Sequence, residues 1–253
     1  MTKALRSMRF GALWIALLGI LFAAGTATAQ VPDKFTNLQV LPKDIPKPEL
    51  TSMMRGFAFA LNVRCNYCHA QKKDGPGMDF ASDEKETKKT ARVMLQMVAA
   101  INHDYIAKLP AETPAPVQVQ CVTCHHGLAQ PRTLNSVLAE TIDAKGIDAA
   151  VTQYGELRKK YAGGAQYDFG ETSLNQLTES LLAQKKNKEA LTIMELSFAT
   201  NHPDTVWSYH MLATAHEANG REAEALADYK KVLELHPDDD WAKQQIETLL
   251  KAK

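Results

Sequence analysis

Neither sign of charge is in excess in this 253-residue chain: Lys and Arg total 29, and so do Asp and Glu. The strongly basic surface of a nucleic-acid binder is therefore not signalled. Compositional bias is missing too. Hydrophobic residues make up 45% and charged residues 23%, a globular balance that excludes a mostly disordered or collagen-like chain. Beyond residue 24 no apolar run approaches the roughly 20 residues that a spanning helix needs. Cysteine is scarce, at four, and the four fall in two pairs. The length suits about one or two domains.

Residues 1–29 have the layout of a secretory signal. Lys3, Arg6 and Arg9 form a charged start, Gly11 to Ala24 is apolar, and Ala27-Thr28-Ala29 is a small-x-small cleavage site. The apolar run is about 14 residues, short for a membrane anchor. No cysteine stands at the cleavage site, which argues against lipidation there. The expected mature protein is exported, to the periplasm or its equivalent. It carries 26 Lys and Arg against 29 Asp and Glu, a net charge of roughly −3.

The sequence predicts an all-α fold in two parts, a cysteine-bearing domain over residues 30–132 and a helical-repeat domain over 133–253. Pro42, Pro46 and Pro48 keep the first stretch extended. A helix is expected from Pro48 to about Asn62, and a loop over residues 71–80 around Gly75-Pro76-Gly77. A second helix is expected from Glu84 to Ile106, with Met94, Met97, Val98, Ile101 and Tyr105 on one stripe. An extended connection follows, through Pro110, Pro114 and Pro116. From Thr133 onward a repeat emerges. Leu177 matches Leu212 and Leu191 matches Leu226, both 35 apart, and Pro203 matches Pro237, 34 apart. With Ala190-x-x-x-Met194 and Ala225-x-x-x-Tyr229, this looks like the tetratricopeptide helix–turn–helix. Ile147 to Tyr161, with Ala150-x-x-x-Tyr154, fits the second helix of a degenerate earlier unit, and Trp241 to Leu250 fits a closing helix.

Cys65-Asn66-Tyr67-Cys68-His69 and Cys121-Val122-Thr123-Cys124-His125 are two C-x-x-C-H motifs, the attachment pattern for c-type haem. Positions i, i+3 and i+4 share a helix face. Two thiols can then reach the porphyrin vinyl groups while the histidine meets the iron from the same side. Structural disulfides would not require the histidines. A four-cysteine zinc site usually has roughly 15–20 residues between its pairs, and here 52 separate Cys68 from Cys121. A thioredoxin-like motif wants a βαβ context that is not visible. With 8 histidines in the chain, two chance placements after C-x-x-C have odds on the order of one in a thousand. Two covalently attached haem c groups are therefore expected, on Cys65 and Cys68 and on Cys121 and Cys124, with His69 and His125 on the irons.

Each iron then needs a sixth ligand or an open position. Met53 and Met54 stand on the first expected helix, about 100° apart. Met94 and Met97 share the stripe of the second. His103 is nine positions beyond Met94 and points about 180° away, so it is a poor substitute. His126 directly follows a ligand, which suits it badly. Arg55, Arg64, Arg92 and Arg132 are lesser candidates for haem propionates; solvated arginines would look the same.

The stretches Met54-Arg55, Leu61-x-Val63-x-Cys65-x-x-Cys68-His69, Ala91-Arg92-x-Met94-Leu95-x-Met97-x-x-x-Ile101-Asn102 and Val119-x-Cys121-x-Thr123-Cys124-His125-x-Gly127 resemble, in that order, the haem-binding unit of the photosynthetic reaction-centre cytochrome c subunit family. The resemblance covers about Leu38 to Arg132. It implies Met54 opposite His69 and Met94 opposite His125. That family's subunit has four haems in two such units; this chain has one unit, and it adds the repeats.

The expected function is an exported dihaem electron carrier and not an enzyme. It would pass single electrons between redox partner proteins, with a membrane complex among them, and dock through the concave face of its repeats. No nucleic-acid partner is expected. The alternative is a dihaem peroxidase or reductase with an open iron, which a high-spin ferric signal would reveal. A third class is a scaffold in which the repeats do the main work.

Overall fold

The computed structural model describes residues 31–110 and 118–251. The expected signal at 1–29 and the middle of the proline-rich connection lie outside the described residues. The fold is all-α, as the sequence predicts. The described residues hold ten α-helices and one two-stranded antiparallel hairpin, β1 Ala70–Gln71 against β2 Met78–Asp79, with Ala70 opposite Asp79. They cluster in two units, 31–56 with 63–119, and 57–62 with 120–251.

The first unit carries the first C-x-x-C-H motif. Helix α1 (Lys47–Leu61) starts one residue before Pro48, where proline suits a first turn. The expected loop over 71–80 contains the short hairpin. The second expected helix is shorter than its apolar stripe suggested. Helix α2 runs Glu86–Ala100, then widens into a π-turn at Ile101–Tyr105 and tightens into a 3-10 turn at Ile106–Lys108. The winding changes where the Asn102 amide engages Val119: Nδ2 donates to the Val119 carbonyl at 2.8 Å and Oδ1 accepts from the Val119 amide at 2.8 Å. A π-turn inside a helix often marks a functional position.

The second unit carries the second motif on α3 (Cys121–His125), followed by the repeats: α4 (Leu134–Lys145), α5 (Ile147–Tyr161), α6 (Glu171–Ala183), α7 (Asn187–Asn201), α8 (Val206–Ala218), α9 (Glu222–Leu235) and α10 (Asp240–Lys251). They pack as hairpins, α4 with α5, α6 with α7, and α8 with α9, and α10 lies on α9. The small–large pairs Ala150 and Tyr154, Ala190 and Met194, and Ala225 and Tyr229 are all buried to 1% exposure or less. Four residues apart on a helix, each pair shares a face. The alanine admits the neighbouring helix and the large partner fills the space beside it. This makes α5 the second helix of the earliest unit. Leu138, Leu174, Leu177, Leu181 and Ile193 complete the main core. Each buried aliphatic contributes about 1.5–3 kcal/mol relative to exposure. Thr133 caps α4 by accepting from the Ser136 amide.

Candidate functional site

The first motif sits on a 3-10 turn, Cys65–Tyr67. The His69 amide donates to the Cys65 carbonyl at 3.0 Å, so Cys65, Cys68 and His69 are wound onto one turn, as their spacing predicted. Thr87, near the start of α2, donates its hydroxyl to the Tyr67 carbonyl and ties the turn to that helix. Nδ1 of His69 is buried without a hydrogen-bond partner. Burial first, and the Lys88 ammonium second, hold this imidazole below its ordinary 6.5, with the Phe80 backbone opposing them.

The second motif is a true helical turn. Thr123 receives a hydrogen bond on Oγ1 from the Gln120 amide at 3.0 Å and forms a capping box with Gln120. His125 Nδ1 lies 2.7 Å from the Leu128 carbonyl. A carbonyl can only accept, so Nδ1 carries the proton and Nε2 keeps its lone pair. Gly127 has φ +83, and a Cβ there would come within 2.8 Å of the Gln166 side chain. Its amide donates to the Ala60 carbonyl at 2.9 Å. The glycine two positions after the histidine is therefore needed where it stands. Beside the motif is a cavity of about 390 Å³, lined in part by Cys124, His125, Arg132, Asn135, Tyr167 and Gln176. This lies within the range of small-ligand sites.

None of the four cysteines is in a disulfide. Burial pushes the Cys68 and Cys121 thiols up, opposite to the acidic thiol of a redox dithiol. Among the described residues no group of three or more His, Cys, Asp or Glu could hold a metal ion. The donor set fits a haem instead: two thiols and one imidazole per turn, with the second imidazole's tautomer fixed by its own neighbour. Helix α2 also leaves Val93, Met94 and Met97 exposed, at 58%, 36% and 43%, an apolar surface suited to a porphyrin face. Met53 and Met54 are both half-buried on α1.

The candidate arginines divide. Arg92 is committed to Asp83, at 2.8 Å, and Arg132 pairs with Glu140. Arg92 first, then Asn37, hold the Asp83 carboxyl well below the usual carboxylate range. Sequence reasoning missed Lys88 and Asp83 as neighbours of the first motif, since lysine and aspartate on a charged stretch give no signal of burial. It also missed the Leu128 carbonyl, because a main-chain acceptor has no side-chain signature.

Comparison with known proteins extends these observations. The sequence profile described as "Photosynthetic reaction centre cytochrome C subunit" matches residues 21–222. Cytochrome c-554 of Chloroflexus aurantiacus is 35% identical over 121 residues, 48% of this chain and 27% of that protein. The photosynthetic reaction center cytochrome c subunit of Thermochromatium tepidum is 36% identical over 112 residues, 44% of this chain and 25% of that one. The matched part is thus about a quarter of the length of these relatives. Two solved tetratricopeptide domains each cover 47% of the chain: the first such domain of human RPAP3, at 20% identity and TM-score 0.34, and that of Arabidopsis OM64, at 23% and 0.33. Among the described residues no helix is long and apolar enough to cross a membrane. Because the family profile spans most of its length and both attachment motifs, the chain belongs to the photosynthetic reaction centre cytochrome c subunit family, whose cofactor is covalently bound haem c.

Proposed function

We propose that this protein is an exported dihaem cytochrome that carries single electrons between protein partners. The observation that carries the reading is the pair of C-x-x-C-H turns, each presenting two thiols and an imidazole together. Each haem supplies a one-electron ferric–ferrous couple when bound. The chain's residues do the rest. Cys65 and Cys68 hold the first group and Cys121 and Cys124 the second. His69 and His125 give their Nε2 lone pairs, and the Leu128 carbonyl keeps the His125 proton on Nδ1. Met54 and Met94 take the remaining positions, an assignment that rests on the family resemblance. A thioether there raises the potential and keeps water and substrates off the metal, which favours carriage over catalysis.

In this reading residues 30–132 hold the haems and residues 133–253 recognise a partner, a membrane-bound redox complex. Residues 1–29 direct export and are removed after Ala29. Intact mass combined with pyridine haemochrome quantitation of the exported protein tests the proposal. The expected result is the processed chain plus two haems, with a fully low-spin ferric spectrum showing the methionine charge-transfer band. A bare chain overturns the haem reading, and a high-spin signal overturns the carrier reading.

A further inference from the structure

The two motif histidines have different neighbours. Nδ1 of His125 donates to the Leu128 carbonyl at 2.7 Å. Such a bond pushes electron density into the ring and makes Nε2 the stronger donor. Nδ1 of His69 has no partner within hydrogen-bond distance, and the Phe80 backbone is the weakest of the three influences on that ring. What lies beside it is a cation. The Phe80 ring meets the His69 ring edge-on, with centroids 5.0 Å apart. The carbonyl of the same Phe80 accepts from Lys88 Nζ at 2.9 Å. Lys88 is 9% exposed, and its ammonium also donates to the Ala81 and Ser82 carbonyls, at 3.1 and 2.7 Å.

Around that ammonium the charges do not cancel. Asp83 Oδ1 is 3.1 Å from Lys88 Nζ and 2.8 Å from Arg92 Nη2. Two cations share one carboxylate, so these three side chains sum to one positive charge; the next acid on the loop, Asp79, is taken up by the Ala81 and Ser82 amides. The Lys88 and Arg92 side chains are 11% and 15% exposed, so water screens this charge poorly. Phe80 links the two: its carbonyl holds the ammonium and its ring packs on the His69 ring. A net positive charge beside an iron ligand favours the ferrous state, which carries one positive charge fewer. A stronger histidine donor favours the ferric state.

We propose that the Lys88–Asp83–Arg92 cluster is an electrostatic positioning element for the first haem, holding its reduction potential above that of the second. A chain carrying one electron therefore carries it at the first site. The inference rests on the dihaem reading.

Redox titration of the holoprotein, followed by optical spectroscopy, tests it through two substitutions of opposite charge effect. Lys88→Gln removes a positive charge and shifts the higher of the two midpoints downward. Asp83→Asn removes a negative charge at nearly constant shape and shifts the same midpoint upward. In both variants the lower midpoint moves less. A cluster that merely held the 80–83 loop in place would shift both variants in one direction. That result overturns the inference, as does a lower midpoint that moves as far as the higher one, or movement of neither. If Lys88→Gln does not assemble, the sign of the Asp83→Asn shift decides alone. The methionine charge-transfer band is followed in each variant, so that a lost ligand is not scored as a charge effect. An intact mass lacking a haem in the unsubstituted protein sinks the dihaem reading instead, and is distinguishable from a null shift in a fully loaded one.

Discussion

The repeats and the first unit are both helical, yet they are closed in different ways. In the repeats, Leu138, Ala150, Leu174, Ile193 and Tyr229 are wholly buried by other helices of the same region. In the first unit, the only buried hydrophobics among the described residues are Ile45, Leu50 and Ala70. On α2, Val93, Met94 and Met97 are exposed, and order comes from polar contacts: the Asn102–Val119 pair, the carbonyls around Lys88, and Asp83 between two cations. One region excludes water with its own side chains. The other offers the apolar surface that a large, covalently held ring would cover. Helix content alone does not distinguish them; burial does.

The sharpest test of this contrast removes the first attachment site. In Cys65→Ser/Cys68→Ser, one haem mass is lost, and amide protection in α1 and α2 falls about a hundredfold or more, corresponding to about 3 kcal/mol. Helices α6 to α9 keep theirs. Hydrogen exchange reads both at once, and undiminished protection in α2 would break the comparison. Next in size is Leu138→Ala, in the middle of the repeat core. It lowers the urea stability of the repeats by about 2–5 kcal/mol and leaves the haem absorption unchanged.

Smaller effects sharpen the same boundary. Arg158 donates to the Tyr154 hydroxyl and to Asn201 Oδ1, each at 2.6 Å, and to the Thr200 carbonyl at 3.0 Å. Arg158→Ala leaves the Asn201 Oδ1 and Thr200 carbonyl without this donor, while the Tyr154 hydroxyl keeps Thr200 Oγ1 at 3.2 Å, and costs about 1–3 kcal/mol in denaturant melts. Thr133→Ala removes the cap of α4 at a cost of about 1 kcal/mol. The smallest effect belongs to acid titration of the first unit. Asp83 is held below its ordinary 3.8, so the folded state binds its proton less readily than the unfolded chain does. Its contribution is complete above that value and is lost as pH falls from there toward the lowered one. Asp83→Asn makes the acid limb of first-unit unfolding shallower, as followed by circular dichroism. An unchanged slope would show the carboxylate to be idle.

Much of this was legible in the residues. The C-x-x-C-H spacing pointed to two thiols and an imidazole on single turns because i, i+3 and i+4 share a face once the chain is wound helically. The Ala-x-x-x-Tyr and Ala-x-x-x-Met pairs placed the repeat core, down to α5 at Ile147–Tyr161, because small–large complementarity is written locally. The end of α2 was not legible. Met94, Met97, Val98, Ile101 and Tyr105 keep helical spacing through the π-turn, and what changes the winding is an amide pairing with a residue 17 positions away. Lys88 was not legible either. A lysine among Lys85, Lys88 and Lys89 looks solvated, and only the fold of the 80–83 loop brings three carbonyls to it.

Thr123 stands between the two cysteines of the second motif, and its hydroxyl closes the turn that bears them. The spacer is therefore part of the tool. It keeps the Cys121–Cys124 stretch wound as one helical turn, so that order is already in place when a cofactor is attached.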